Sequence, residues 1–256
     1  YSLIYLIEKS FGFISGVSMV ELANINKPLL KELSEKTPGT FQHSMQVSNL
    51  ATAAAAKIGA NASLIRTGAL YHDIGKIMNP AFFTENQSPG MNPHAGLPFE
   101  ESARIVINHV KDGVKIAKQN GLPQQIIDFI ETHHGTSIPR YFYVSWKNAN
   151  PDKEINEEAF RYPGPNPFTK ETAIMMMADA VEAASRSLTE YSEETLQNLV
   201  NRIIDTQVAE GYFKKAPITF KDIDTTKDVF VEKLKIIYHS RIAYPELNKP
   251  EAKSLV

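Results

Sequence analysis

The chain has seven histidines and no cysteine, and three of the histidines stand in adjacent pairs, His72-Asp73 and His133-His134. A lone histidine on an apolar helix face is most often a core residue whose hydrogen bonds are met. A pair is different. Neighbours on a helix point about 100° apart, so both side chains reach one point only if that point lies off the helix between them. A metal ion is such a point. Imidazole suits zinc, copper, iron and nickel, whereas carboxylate suits harder ions. His43 and His109 lie on further predicted helices, His94 lies in a predicted loop, and His239, near the end, is read as structural.

The elements that must position these residues are helical almost throughout. Thr40 is the expected N-cap of a helix running to Ile58, with Gly59 where a closing glycine belongs. Ser63–Asp73 is a second helix, Glu100–Asn120 a third closed by Gly121, and Pro123 opens a fourth that runs through His134. Thr169–Leu188 follows, then a helix starting at Ser192-Glu193-Glu194, then a late amphipathic one over Thr225–Arg241. The best strand signal, Pro217–Lys221, is weak. Two stretches break the helical pattern. Met78–Pro98 holds four prolines and the pair Phe82-Phe83; Arg140–Pro167 holds four prolines with Tyr141, Phe142, Tyr143 and Trp146. Long loops in a compact domain often act as lids or binding loops. The expected architecture is an all-α helical bundle with two long loops near the histidines.

With 256 residues the chain can bury a large core without disulfides. A net charge of −2 argues against broad DNA or RNA binding, which needs a basic face, but leaves room for a small anion at a local positive site. No run of 18 apolar residues appears, so nothing in this sequence is expected to span a bilayer by itself. Tyr1–Phe13 is largely apolar and has neither the basic flank nor the cleavage site of a signal peptide. It reads as the start of a piece cut from a longer protein, and about equally as the N-terminal core helix of a complete domain. The expected organisation is an N-terminal helical segment over 1–36, a main domain over 37–245 and a tail over 246–256.

Tyr71-His72-Asp73-Ile74-Gly75-Lys76 resembles the motif that names the HD superfamily of metal-dependent phosphohydrolases. Its helical members bind metal through H, HD and a later D, matched here by His43, His72-Asp73 and Asp179. A two-metal branch adds three histidines, matched by His109 and His133-His134. Pro38-Gly39-Thr40-Phe41-Gln42-His43-Ser44, Glu85-Asn86-Gln87, Asn92-Pro93-His94, His109-Val110-Lys111-Asp112-Gly113 and Ile130-Glu131-Thr132-His133-His134-Gly135-Thr136 are similar to the cytoplasmic HD domain of the seven-transmembrane-receptor HD proteins of the PgpH type. This resemblance covers roughly Phe11–Arg241. It implies hydrolysis of cyclic di-AMP to pApA, and an apolar start that follows a membrane helix outside this chain. It also implies a cytoplasmic domain of a bacterial membrane protein. The Gly-Tyr-Pro signature of the related cyclic di-GMP branch is absent; Tyr162-Pro163-Gly164-Pro165 is only loosely like it.

By the same resemblance, one ion is held by His43, His72, Asp73 and Asp179, and the other by Asp73, His109, His133 and His134. Five histidines and two aspartates favour iron or manganese over zinc. Two ions about 3.5–4 Å apart can share a water and lower its pKa toward about 7, with Asp73 offering one oxygen to each. Lys76 is expected to share a helix face with Asp73 and meet a phosphate oxygen. Arg186, two turns beyond Asp179, is expected to reach a second phosphate. His94 is expected to touch substrate from its loop, and Tyr143 to stack on a base. Two further functions fit the sequence less well. A mononucleotide phosphohydrolase would need only the one-metal set, and a non-catalytic nucleotide sensor would be expected to have lost ligands.

Overall fold

The structure is a computed structural model and describes residues 14–239; Tyr1–Phe13, the expected helix end at Arg241 and the 246–256 tail lie outside them. Among the described residues there are ten α-helices and no strand. In chain order they are α1 (Gly16–Leu22), α2 (Pro28–Lys36), α3 (Pro38–Ile58), α4 (Ala62–Tyr71), α5 (Phe99–Gln119), α6 (Gln124–Thr132), α7 (Arg140–Ala149), α8 (Lys170–Ser185), α9 (Glu193–Ala209) and α10 (Phe220–His239). Short 3-10 turns at Ile74–Met78, Pro80–Phe82 and Thr84–Asn86 join α4 toward α5.

Local signals explain most of these boundaries. Asn61 caps α4 by accepting a hydrogen bond from the Leu64 amide, and Ser192 caps α9 through Thr195. Gly59 ends α3 in the left-handed conformation, φ 69°. Four expectations shift. α3 starts at Pro38, whose fixed φ suits a first turn, so Thr40 lies inside the helix and its hydroxyl turns to Glu85 instead. α4 stops at Tyr71 rather than Asp73. Pro217–Lys221 is not a strand: Thr219 and Asp222 bond each other's amides and start α10 at Phe220. Arg140–Pro167 is not a continuous loop. Phe142 and Trp146, one turn apart, lay the face of α7 on Ala103, Ile107 and Val110 of α5. Aromatic and β-branched residues there masked a helix.

Three apolar clusters hold the bundle. α3 is central, burying Val47, Leu50, Ala51, Ala54 and Ala55 against Met175–Met177 of α8, Phe129 of α6 and Phe230 of α10. A second cluster joins Leu29, Leu30 and Leu33 of α2 to Leu70, Ile74 and Ile130. Phe142, Phe160 and Tyr162 form the third with α5. Each fully buried Leu or Ile contributes about 1.5–3 kcal/mol relative to exposure. The polar centre lies among these clusters, walled by α3, α4, α5, α6 and α8. Among the described residues no helix is long and apolar enough to cross a membrane.

Candidate metal centre

Seven side chains from five elements converge. His43 projects from α3, His109 from α5 and Asp179 from α8; His72 and His133 are the C-cap residues of α4 and α6, with Asp73 and His134 next in the chain. Both pairs therefore sit at helix ends, where the backbone leaves helical geometry and neighbouring side chains can turn together. The His133 and His134 rings have centroids 4.0 Å apart. All seven residues are buried except His134, which is partly exposed.

The imidazoles are oriented from behind. Nδ1 of His72 donates to the Ala69 carbonyl at 2.7 Å, that of His109 to Val106 at 2.5 Å, and that of His133 to Ile130 at 2.9 Å. Each acceptor lies one turn earlier. His43 is different: its Nδ1 donates to the carboxylate of Glu182 on α8. In all four the Nε2 atom is left facing the centre, as a ligand requires.

Two groups of ligand atoms result, each lying within 4.8 Å: His43, His72 and Asp179, and His109, His133 and His134. Asp73 stands between them. Its Oδ1 lies 3.3 Å from His109 Nε2 and 3.7 Å from His133 Nε2; its Oδ2 lies 3.2 Å from His72 Nε2 and 3.7 Å from His43 Nε2. Each oxygen thus addresses a different group. His72 Nε2 and Asp73 Oδ1 are enclosed but make no hydrogen bond, Asp73 Oδ2 faces the Lys76 ammonium at 2.8 Å, and His109 Nε2 faces His133 Nε2 at 3.1 Å. Enclosed lone pairs aimed at one another are costly unless a cation lies among them. This donor set fits divalent metal.

The electrostatics agree. Burial disfavours a charged His43, but Asp179 and Glu182 outweigh it and raise its pKa; burial is likewise outweighed at His72, which Asp73 and Asp179 push up to about 10. For Asp73 and Asp179, burial is overcome by the histidines, and by Lys76 at Asp73, which hold both well below the usual carboxylate range. Burial and neighbouring imidazoles push His133 down strongly and His134 to about 3. The two carboxylates remain anionic and the exposed end of the centre remains neutral.

The expected substrate contacts are placed as follows. Lys76 lies beside Asp73, but through a 3-10 turn rather than along a helix face. Its Nζ is 2.8 Å from Asp73 Oδ2 and 2.8 Å from Glu85 Oε1. Arg186 puts Nε and Nη2 on Glu182 Oε1, at 2.9 and 2.8 Å. His94 lies between Phe82 and Phe142 and bonds the Phe82 carbonyl at 2.9 Å. Tyr143 lines a cleft of about 1010 Å³ that is also lined by His133, His134 and Asp179. Arg140, Arg161 and Arg202 line the same cleft. Arg140 is paired with Glu210 and Arg161 with Glu158, whereas Arg202 has no partner among the described residues.

Sequence reasoning missed four residues around the centre. Glu182 could have been found as the acid one turn past Asp179. Glu85, flagged only within a motif, links Lys76 to Thr40. Tyr162 packs its ring on His134, with centroids 4.3 Å apart. Asn166 accepts from the Thr136 amide and hydroxyl and pins the turn after His134. Tyr162 and Asn166 approach from a proline-rich segment with no periodicity to place them.

The match to known proteins follows this geometry. A family model described as HD domain matches residues 40–184. The cyclic-di-AMP phosphodiesterase PgpH of Listeria monocytogenes serotype 1/2a is 47% identical over 94% of this chain and 33% of its own length. That of Bacillus subtilis is 43% identical over 94% of this chain and 34% of its own. The chain thus spans about a third of the length of these curated relatives. The crystal structure of the L. monocytogenes PgpH HD domain in complex with cyclic-di-AMP is 46% identical, with a TM-score of 0.80. The match covers 85% of this chain and all of that one. The helical enclosure, the paired ligand groups and these similarities lead to one assignment: the chain belongs to the HD-domain family.

Proposed function

We propose that the chain is the hydrolase domain of a cyclic dinucleotide phosphodiesterase, cleaving cyclic di-AMP to pApA with two divalent transition-metal ions, iron or manganese. The observation that carries this reading is a double set of ligand atoms, shared through Asp73, at the edge of a cleft with three arginines. The similarity to proteins named for this activity supports it. His43, His72 and Asp179 would hold one ion and His109, His133 and His134 the other, with Asp73 serving both. Bound ions would supply Lewis acidity at the phosphate and lower the pKa of water toward about 7.

The chain's own residues do the rest. Lys76 stays protonated between Asp73 and Glu85, fixes the Asp73 carboxylate and adds positive charge where negative charge grows in the transition state. We assign Arg202 to the phosphate that is not cut, because its guanidinium is uncommitted. Tyr143, which lines the cleft, would stack on a base. His94 and Arg186 position other groups rather than touch substrate. Cleavage breaks one P–O3′ bond, leaves the phosphate on the 5′ side and gives a proton to O3′. Attachment to the cytoplasmic face of a bacterial membrane would come through segments outside this chain, for which the length of the relatives leaves room.

The test is turnover of cyclic di-AMP and cyclic di-GMP side by side with manganese, reading products by chromatography. The reading expects pApA and a strong preference for the adenine form. Equal rates, or a preference for the guanine form, would overturn it.

A further inference from the structure

The four imidazoles of the centre whose Nδ1 partners are seen are not anchored alike. His72, His109 and His133 are held by main-chain carbonyls of their own elements. His43 is held by a side chain, Glu182, which is buried on α8 and one turn past Asp179. Glu182 divides its two oxygens cleanly. Oε2 faces His43 Nδ1, and Oε1 takes both Nε and Nη2 of Arg186. A guanidinium only donates, so Arg186 fixes which oxygen is left for the histidine.

We propose that Glu182, oriented by Arg186, is a positioning residue that sets the tautomer of His43 and so decides whether the His43, His72 and Asp179 group can take a metal ion. A carboxylate at Nδ1 can only accept, so it keeps the Nδ1 proton in place and leaves the Nε2 lone pair for the ion. An amide at the same place reverses this. In Glu182→Gln, Arg186 claims the carbonyl oxygen and the amide NH2 faces His43. The NH2 needs an acceptor, so Nδ1 must give up its proton and Nε2 must carry it. A protonated Nε2 cannot ligate. The nearly isosteric change should therefore be worse than removing the side chain, which leaves His43 free to choose. Deleting Arg186 in the Gln background lets the amide turn over, present its oxygen and restore the site. An ordering in which a second substitution repairs the first is not expected of a merely structural role.

The experiment titrates MnCl2 into the metal-stripped chain and counts free Mn2+ by electron paramagnetic resonance. Glu182→Gln should weaken one ion by about 100-fold and Glu182→Ala by about 10-fold, the range of second-shell changes. Glu182→Gln with Arg186→Met should return to within about 10-fold of the unchanged chain. The ion at His109, His133 and His134 should bind in every variant, reporting an intact fold. The proposal is overturned if Glu182→Gln binds both ions normally, if it loses both, if Glu182→Ala is the weaker of the two, or if Arg186→Met fails to repair it. The inference rests on the two-ion reading. An unchanged chain that binds a single Mn2+ would defeat that reading, whereas the order of the variants judges Glu182 alone, on the ion that His43 holds.

Discussion

Gly75 lies between Asp73 and Lys76, in the 3-10 turn that backs onto α5. A Cβ there would fall 1.8 Å from the His109 carbonyl oxygen and 2.5 Å from the Gly113 amide nitrogen. Both obstacles are helix backbone, so neither can step aside as a flexible side chain would. Relieving the first contact from 1.8 Å to the 3.4 Å of ordinary packing requires a shift of about 1.6 Å. The turn that must shift carries Asp73, and the helix it pushes carries His109, now 3.3 Å from Asp73 Oδ1. Overpacking of this kind costs about 1–3 kcal/mol, which in a domain of this size lowers Tm by about 2–12 °C. Misplacement of reacting groups by about 1 Å costs about 100-fold in rate. Gly75→Ala is therefore expected to lose both stability and turnover, the latter by about two orders of magnitude. Gly16→Ala, where a Cβ meets nothing within 4 Å, is the control and should stay within about 0.5 kcal/mol. Thermal melts followed by circular dichroism, with turnover on the same samples, decide the matter. If Gly75→Ala behaves like the control, the close approach does not set the geometry of the centre.

Further outcomes can be checked independently. Asp73→Ala should lose both ions and all measurable activity, whereas His109→Ala should keep about one ion and lose rate by several orders of magnitude; their losses should not multiply in the double mutant, because residues acting as a unit are non-additive. Elemental analysis with single-turnover rates reads this, and two ions retained by Asp73→Ala would refute the shared ligand. Lys76→Ala should keep its metals but turn over about 30- to 1,000-fold more slowly, the equivalent of about 2–4 kcal/mol; an unchanged kcat would remove Lys76 from the chemistry. Metal uptake should also release protons. Asp73 and Asp179 raise the pKa of His72 to about 10, so His72 carries an extra proton at pH 7 in the metal-free chain, and ligation needs a bare Nε2. About one proton should leave His72 per chain at pH 7, fewer as the pH rises toward about 10, with none from the already neutral His133 and His134. Calorimetry in buffers of different ionisation enthalpy measures the number, and zero release would contradict it.

The seven side chains that converge were named in the sequence through the resemblance to the HD superfamily, and the residues' own signal was the adjacent pairs His72-Asp73 and His133-His134. Helix periodicity also placed α5, α8 and α9 to within a residue or a few. What could not be read comes from contacts between distant segments. Lys76 was expected on a helix face, but Gly75 draws the chain into a 3-10 turn against α5, and Glu85 supplies the second partner of the ammonium. Arg186 was expected to face a phosphate because spacing from Asp179 says which side of α8 it occupies, not that Glu182 lies there too. α7 was hidden because its prolines flank it rather than fill it, and its aromatic residues have mixed preferences. Arg202 was not singled out, since only the packing of α9 brings it to the cleft with Tyr143.

The central claim is that two ions sit on either side of Asp73. Anomalous diffraction from crystals of the manganese-loaded chain tests it most directly. The account predicts two peaks, one among His43, His72 and Asp179 and one among His109, His133 and His134, with the Asp73 carboxylate between them. A single peak at full loading, or a second peak away from His109, His133 and His134, would contradict it.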